Sequence, residues 1–183
     1  MLRPALLCAL ALSCSPLRAD VEVVPVQYKR GPVLLARVTE QIAPGDYEAL
    51  LKGITANPGR YVRKLLVLDN VGGSGGEAMR MGHLLRETGF DALVPADAVC
   101  QGSCLYLLAA GKRRSVHGHV ALHRPYAPDG ERLLPGRPRL RQSPQSYFRQ
   151  MGVAPELAAD IQRVEPGRIR LLSRQDLRRY RLL

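Results

Sequence analysis

Three short stretches carry residue types whose order and spacing suit chemistry. Residues 68–81 read LDNVGGSGGEAMRM, an apolar run that ends in four glycines around Ser74 and passes directly into helix-forming sequence. Residues 100–104 read CQGSC, placing Ser103 at the start of an apolar segment, and residues 120–123 end in His123. The bare backbone at 72–76 fits a phosphate cradle, an oxyanion hole or a plain flexible turn. For the cradle, Gly73 to Ala78 matches G-x-G-x-x-[GA], with Asp91 and Asp97 about 20 residues on. Against it, the preceding strand is not the first of the domain, and no GK[ST] follows, which excludes a P-loop. The oxyanion use has backbone N–H groups at Gly72 and Gly73 face a developing negative charge, where one donor is worth about 10²–10³ in rate. It demands a nucleophile at a helix start and a histidine within reach. Ser103 and His123 supply both.

The elements that must position these residues alternate. VLLARV (33–38) reads as a strand after the Gly31-Pro32 turn, and DYEALLKGITA (46–56) as a helix with Tyr47, Leu50, Leu51 and Ile54 on one face, stopped by Asn57-Pro58-Gly59. KLLVLD (64–69) is an almost continuous apolar run, as in a parallel strand covered on both sides. A helix over 77–87 carries Ala78, Met81 and Leu85 on one stripe and ends at Gly89. DALVP (91–95) is a strand, 102–110 an apolar helix, and 114–122 a further strand ending at His123. From Pro125 to Pro144 the pattern gives way to a long proline- and arginine-rich loop, a length usually associated with function. Helices are expected over 147–151, 155–164 and 173–182, the last opened by a capping box of Ser173 and Asp176. The order describes an α/β domain with a parallel sheet.

Composition narrows the partners. The chain has 183 residues, 46% of them hydrophobic, enough for one domain with a buried core. Its net charge is +11, but the basic residues are spread among acids, only Lys29, Lys52, Lys64 and Lys112 of the 27 are lysine, and neither an RNA-binding aromatic pattern nor zinc-finger spacing is present. No nucleic-acid partner and no cofactor are expected. Residues 1–19 form a signal peptide, with Arg3 as its positive region and Ala5–Leu12 as an apolar stretch too short to span a bilayer. Cleavage after Ala19 gives a soluble domain over 20–183, whereas cleavage after Ser13 exposes Cys14, the only route to a membrane anchor, through a lipid. Export leaves Cys100 and Cys104, which fit either a disulfide in an oxidising compartment or two small buried side chains. A C-x3-C pair is no zinc site by itself, and no metal is expected.

In order and spacing, NVGGSGGEAMRMGHLLRE, CQGSCLYLLAAGKRR and VALHRPY resemble the Clp-protease/crotonase superfamily, above all its exported Clp-like proteins, over about half the chain. The resemblance implies a repeated β-β-α spiral with a C-terminal helical segment. For the peptidase members it implies a Ser-His-Asp triad, here Ser103 as nucleophile and His123 as general base, with Gly72 and Gly73 at the oxyanion hole. It further implies a peptide or protein substrate and, by analogy with the rings and stacks of the relatives, a homo-oligomer. Two departures stand out. If Ala110-Gly111 is aligned with the alanine-glycine that closes the family's nucleophile helix, Gly102 falls at the serine position, and a shift of one residue turns a helical side chain by about 100°. The family's aspartate position holds no aspartate: Glu165 is the nearest carboxylate, and Asp160 lies more than a helical turn upstream. Two functions therefore stand side by side, an exported serine hydrolase and a non-catalytic binding protein of the cell envelope. In the second, Ser103 is an ordinary helix N-cap and His123 a satisfied half-buried histidine, like His117 and His119. Mass spectrometry of the envelope fraction is expected to find a chain starting at Asp20, or a lipid-modified Cys14; a chain starting at Met1 in the cytosol would contradict export.

Overall fold

The computed structural model describes residues 20–124 and 142–183; the segment 1–19, expected to be a signal peptide, and most of the loop expected over 125–144 lie outside the described residues. The chain opens with an antiparallel hairpin of β1 (Val21–Tyr28) and β2 (Gly31–Ile42). On β2, Leu34, Ala36 and Val38 are buried while their neighbours are not, the alternation of a strand with one face on the core. Helix α1 (Asp46–Ala56) leads to β3 (Arg63–Gly73), parallel to β2.

Beyond β3 the sheet forks. Helix α2 (Gly75–Thr88) is followed by β4 (Asp91–Val94) and β5 (Val99–Gln101), and helix α3 (Cys104–Ala110) by β6 (Arg114–Val116) and β7 (His119–His123). Residues Leu65–Val67 of β3 pair with β4, while Asn70, further along the same strand, pairs with β5. β6 then adds to β4 and β7 to β5, all parallel. Each helix is thus followed by two short strands, one for each branch. After α4 (Pro144–Gln150) and α5 (Glu156–Arg163), β8 (Ile169–Leu171) closes the β5–β7 branch antiparallel to β7, and α6 (Arg174–Arg179) follows. Among the described residues this is an α/β protein with a mixed eight-stranded sheet and six helices.

Local chemistry accounts for the boundaries. Ser74 accepts a hydrogen bond from the Glu77 N–H and starts α2, and Gly89, left-handed at φ 85°, ends it by donating to the Leu85 and Arg86 carbonyls. The Ser173–Asp176 capping box opens α6. Three elements differ from expectation. The strand expected over 114–122 is two strands, broken where a side chain on Gly118 would lie 2.1 Å from the Pro95 carbonyl. Helix α3 starts at Cys104, since Gly102 is left-handed at φ 56° and cannot open a helix. The parallel sheet carries antiparallel strands at both ends.

The C-terminal helices are fastened to this sheet by aromatic side chains. Gly82 of α2 lacks a side chain where the Tyr147 hydroxyl of α4 would otherwise sit 1.8 Å from a Cβ, so the two helices approach closely. The Tyr147 hydroxyl donates to the Tyr106 carbonyl at 2.8 Å, and the Tyr106 and Phe148 rings stack 5.0 Å apart. Near the chain end, buried Asp160 accepts from the Tyr180 hydroxyl at 2.5 Å and from Arg163. The Tyr180 hydroxyl above all holds the Asp160 carboxyl below its ordinary value; burial opposes this, and Arg163 adds to it. A depressed carboxyl contributes stability that is present above the unfolded value and lost as pH falls through the folded one. Asp160→Asn is therefore expected to lower unfolding free energy by about 1–3 kcal/mol at neutral pH, with the gap to wild type closing below about pH 4. Denaturant melts at pH 7 and pH 3 measure both.

Candidate functional site

The site is assembled where β3 ends. Leu66, Leu68 and Asn70 are buried on one face of this strand, and the chain then leaves ordinary strand geometry at Gly72 (φ 100°) and Gly73 (φ 124°). Both angles favour glycine. At Gly73 space demands it as well, because a Cβ would lie 2.2 Å from the Ile42 carbonyl. That carbonyl accepts from the Ser74 N–H at 2.9 Å, so the glycine turn sits directly on the end of β2. Fully buried Asn70 braces it: its amide donates to the Thr39 carbonyl at 3.1 Å, and its Oδ1 accepts from the Gly72 N–H at 2.8 Å. The Gly72 N–H expected to face an oxyanion thus already has a partner.

The CQGSC turn packs on these glycines. A disulfide joins Cys100, on β5, to Cys104, the first residue of α3, with a Cα separation of 5.3 Å and both residues buried. Of the two uses open to these cysteines, the structure has the bridge. Inside it, Gly102 donates its N–H to the Ala121 carbonyl of β7 and offers its carbonyl to the Leu105 N–H. A Cβ on Gly102 would lie 3.7 Å from Nδ1 of His123. The next residue faces elsewhere: Ser103, only 2% exposed, donates from Oγ to the Gly73 carbonyl at 2.8 Å. Ser103 stands at the N-cap position of α3, yet its side chain makes no capping bond. A Cβ on Gly72 would meet the Gln101 carbonyl at 3.0 Å and the Ser103 nitrogen at 3.2 Å, so the two turns touch through backbone.

The expected constellation is therefore partly assembled. Gly72, Gly73, Ser103 and His123 converge, but Ser103 bonds to Gly73 and the residue facing His123 is Gly102. Half-buried His123 ends β7 in register with Ile169 of β8, and among the described residues its ring has no hydrogen-bond partner. His117 and His119, expected to be half-buried, are exposed because they flank the break between β6 and β7. Glu165 lies on the exposed stretch between α5 and β8, where its carboxylate pairs with Arg168 at 3.5 Å. Asp160 is held by Tyr180 and Arg163. Neither carboxylate is bonded to His123.

Two residues that the sequence reading passed over hold the site together. Asn70 is one; its signal was a polar side chain closing an apolar strand just before the glycines. Glu77 is the other. Buried in the first turn of α2, it accepts from the Gly45 and Tyr47 N–H groups at 3.0 and 2.9 Å, satisfying the start of α1 with a carboxylate from another helix. Arg80 pairs with Glu77 and Glu48 and lies 4.1 Å over the Tyr47 ring. Among the described residues no cluster of histidine, cysteine and carboxylate side chains is suited to a metal ion.

No family model matches the chain, and no curated protein is similar to it. The role of Ser103 thus rests on geometry. Ser103→Ala removes a buried donor from the Gly73 carbonyl and is expected to cost about 1–3 kcal/mol, a fall of several degrees in Tm. Gly73→Ala, which forces contact with the Ile42 carbonyl, is expected to cost more. Thermal melts of the mature domain check the order; an unchanged Tm for Ser103→Ala would contradict the bond.

Proposed function

We propose that this chain is an exported protein of Clp-protease/crotonase-like fold that binds a peptide segment of an envelope protein at the surface around Gly72, Gly102 and His123, without a serine nucleophile. The observation that carries the reading is the division of labour between Gly102 and Ser103. A nucleophile must reach its base to be activated, and the hydroxyl of Ser103 is engaged by Gly73 while the position opposite His123 has no side chain. The occupied Gly72 N–H points the same way, as does His123, whose ring bonds to no carboxylate among the described residues.

Support for the fold assignment comes from the order of the three motifs and from the forked sheet, in which α2 and α3 are each followed by one strand for each branch. A disulfide between Cys100 and Cys104 agrees with an oxidising compartment outside the cytosol. Support for a peptide comes from β8. Among the described residues β8 ends its branch, and Ile169 and Leu171 stand exposed at 59% each, in register with His123 and Ala121. An extended peptide that adds to this edge through its backbone sets its apolar side chains against Ile169 and Leu171, with β8 between it and His123.

A fluorophosphonate probe tests the reading. The wild-type mature protein is expected to resist labelling. Gly102→Ser places a hydroxyl opposite His123, at a strain of about 1–2 kcal/mol for a left-handed residue, and is expected to be labelled at position 102 only while His123 is intact. Labelling of wild-type Ser103, abolished by His123→Ala, would overturn the binding reading and restore a hydrolase.

A further inference from the structure

At the far ends of α2 and α3 from the glycine turn lies a second feature that the proposed function does not use. A shallow pocket of about 480 Å³ is lined by Arg86, Lys112, Arg114, Gln150, Met151 and Gly152. Three of these residues are cationic and none is acidic. Arg86 and Arg114 are half-buried, and among the described residues neither pairs with a carboxylate. Their guanidinium groups instead converge on backbone carbonyls. Arg86 donates to the Gly111, Ala109 and Met151 carbonyls, and Arg114 to those of Ala109, Met151 and Arg181.

These carbonyls belong largely to the C-terminal ends of α3 and α4, each equivalent at most to about half a negative charge. Both helices are short, so the offset falls well below the positive charge gathered at the pocket. Burial, and next the proximity of Arg86, pull the Arg114 guanidinium down to about 10, so it stays charged at neutral pH. Donor capacity is left over too. Each terminal guanidinium nitrogen carries two N–H groups, yet among the described residues Nη1 of Arg86 meets only the Gly111 carbonyl and Nη1 of Arg114 only the Arg181 carbonyl. Exposed Lys112 has no side-chain partner among the described residues. Two half-buried like charges, spare N–H donors and a free ammonium around one hollow form a receptor for a compact anion.

We infer that the Arg86–Lys112–Arg114 pocket binds a phosphate group, presented either by a soluble phosphate compound or by a phospholipid headgroup. The excess of positive charge favours a doubly charged tetrahedral oxyanion over a carboxylate, and the spread of donors over three side chains suits several acceptor oxygens. The rival account makes the two arginines only fasteners of helix ends, in which case the spare donors and Lys112 have no ligand.

Calorimetric titration of the mature protein with inorganic phosphate, in a low-salt buffer free of other oxyanions, separates the two. Saturable binding is expected, weakened roughly tenfold by Lys112→Gln, the loss of one charge-assisted contact. Since Arg114 also holds helix ends, Arg114→Lys serves as the conservative second variant and is expected to weaken binding without unfolding the chain. Sedimentation with phosphatidic acid vesicles identifies the source: Lys112-dependent co-sedimentation marks a lipid headgroup, and phosphate binding without it a soluble ligand. Absence of saturable phosphate binding, equal binding of acetate, or affinity unchanged in Lys112→Gln and Arg114→Lys would overturn the inference.

Discussion

The hydrogen bond from Ser103 Oγ to the Gly73 carbonyl is the contact around which the centre of this molecule is built. It joins the end of β3 to the start of α3, the two points where the chain leaves the sheet to enter successive helices. Glycine backbone packs closely on its neighbours around it. Gly73 lies on Ile42, Gly72 lies against Gln101 and Ser103, and Gly102 lies against His123, each at a separation that a side chain would disturb or fill. Three polar devices hold these approaches in place. Asn70 bridges β2 and the glycine turn, the disulfide clasps the CQGSC turn, and Ser103 binds one to the other. A buried hydroxyl with one good acceptor has little freedom to serve a second partner, so the structural role and a nucleophilic role compete for the same atom.

Much of this fold could be read from periodicity. The helix over 46–56, the buried stripe of Ala78, Met81 and Leu85, and the Ser173–Asp176 cap follow from local rules and are found in the structure. What escaped was short or atypical. β1 carries Pro25, which argues against a strand except at a sheet edge, where β1 lies. β5 and β8 have three residues each, too few for an alternation to register, and all three residues of β8 are exposed. The site was legible as a neighbourhood but not as a geometry. Motif order brought Gly72, Ser103 and His123 together, and alignment on Ala110-Gly111 put Gly102 at the serine position, whereas the direction in which Ser103 points follows from the left-handed turn at Gly102. Glu165 was nominated by position in the chain alone, and the turn before β8 carries it out to solvent beside Arg168.

Helices α2 and α3 tie the two ends of the molecule together. Their N-termini frame the glycine turn, and at their C-terminal ends Arg86 donates both to the Gly111 and Ala109 carbonyls and to the Met151 carbonyl of the C-terminal segment. The aromatic contact of Tyr106, Tyr147 and Phe148 lies between, with Gly82 allowing the close approach. The C-terminal segment is thereby coupled to the same two helices that place Ser103. Glu77 extends the coupling to α1 by capping it from α2. Buried polar groups in this protein mostly serve to join elements that lie far apart in sequence.

The central claim is that Ser103 is a structural side chain and that Gly102 is the residue presented to His123. A high-resolution crystal structure of the mature protein tests it most directly, through the position of a single oxygen atom. The account predicts Ser103 Oγ at hydrogen-bond distance from the Gly73 carbonyl, as in the 2.8 Å contact described above, with the backbone of Gly102 facing the imidazole. Density placing Ser103 Oγ within hydrogen-bond distance of a His123 ring nitrogen, with the Gly73 carbonyl left to another donor, would contradict it.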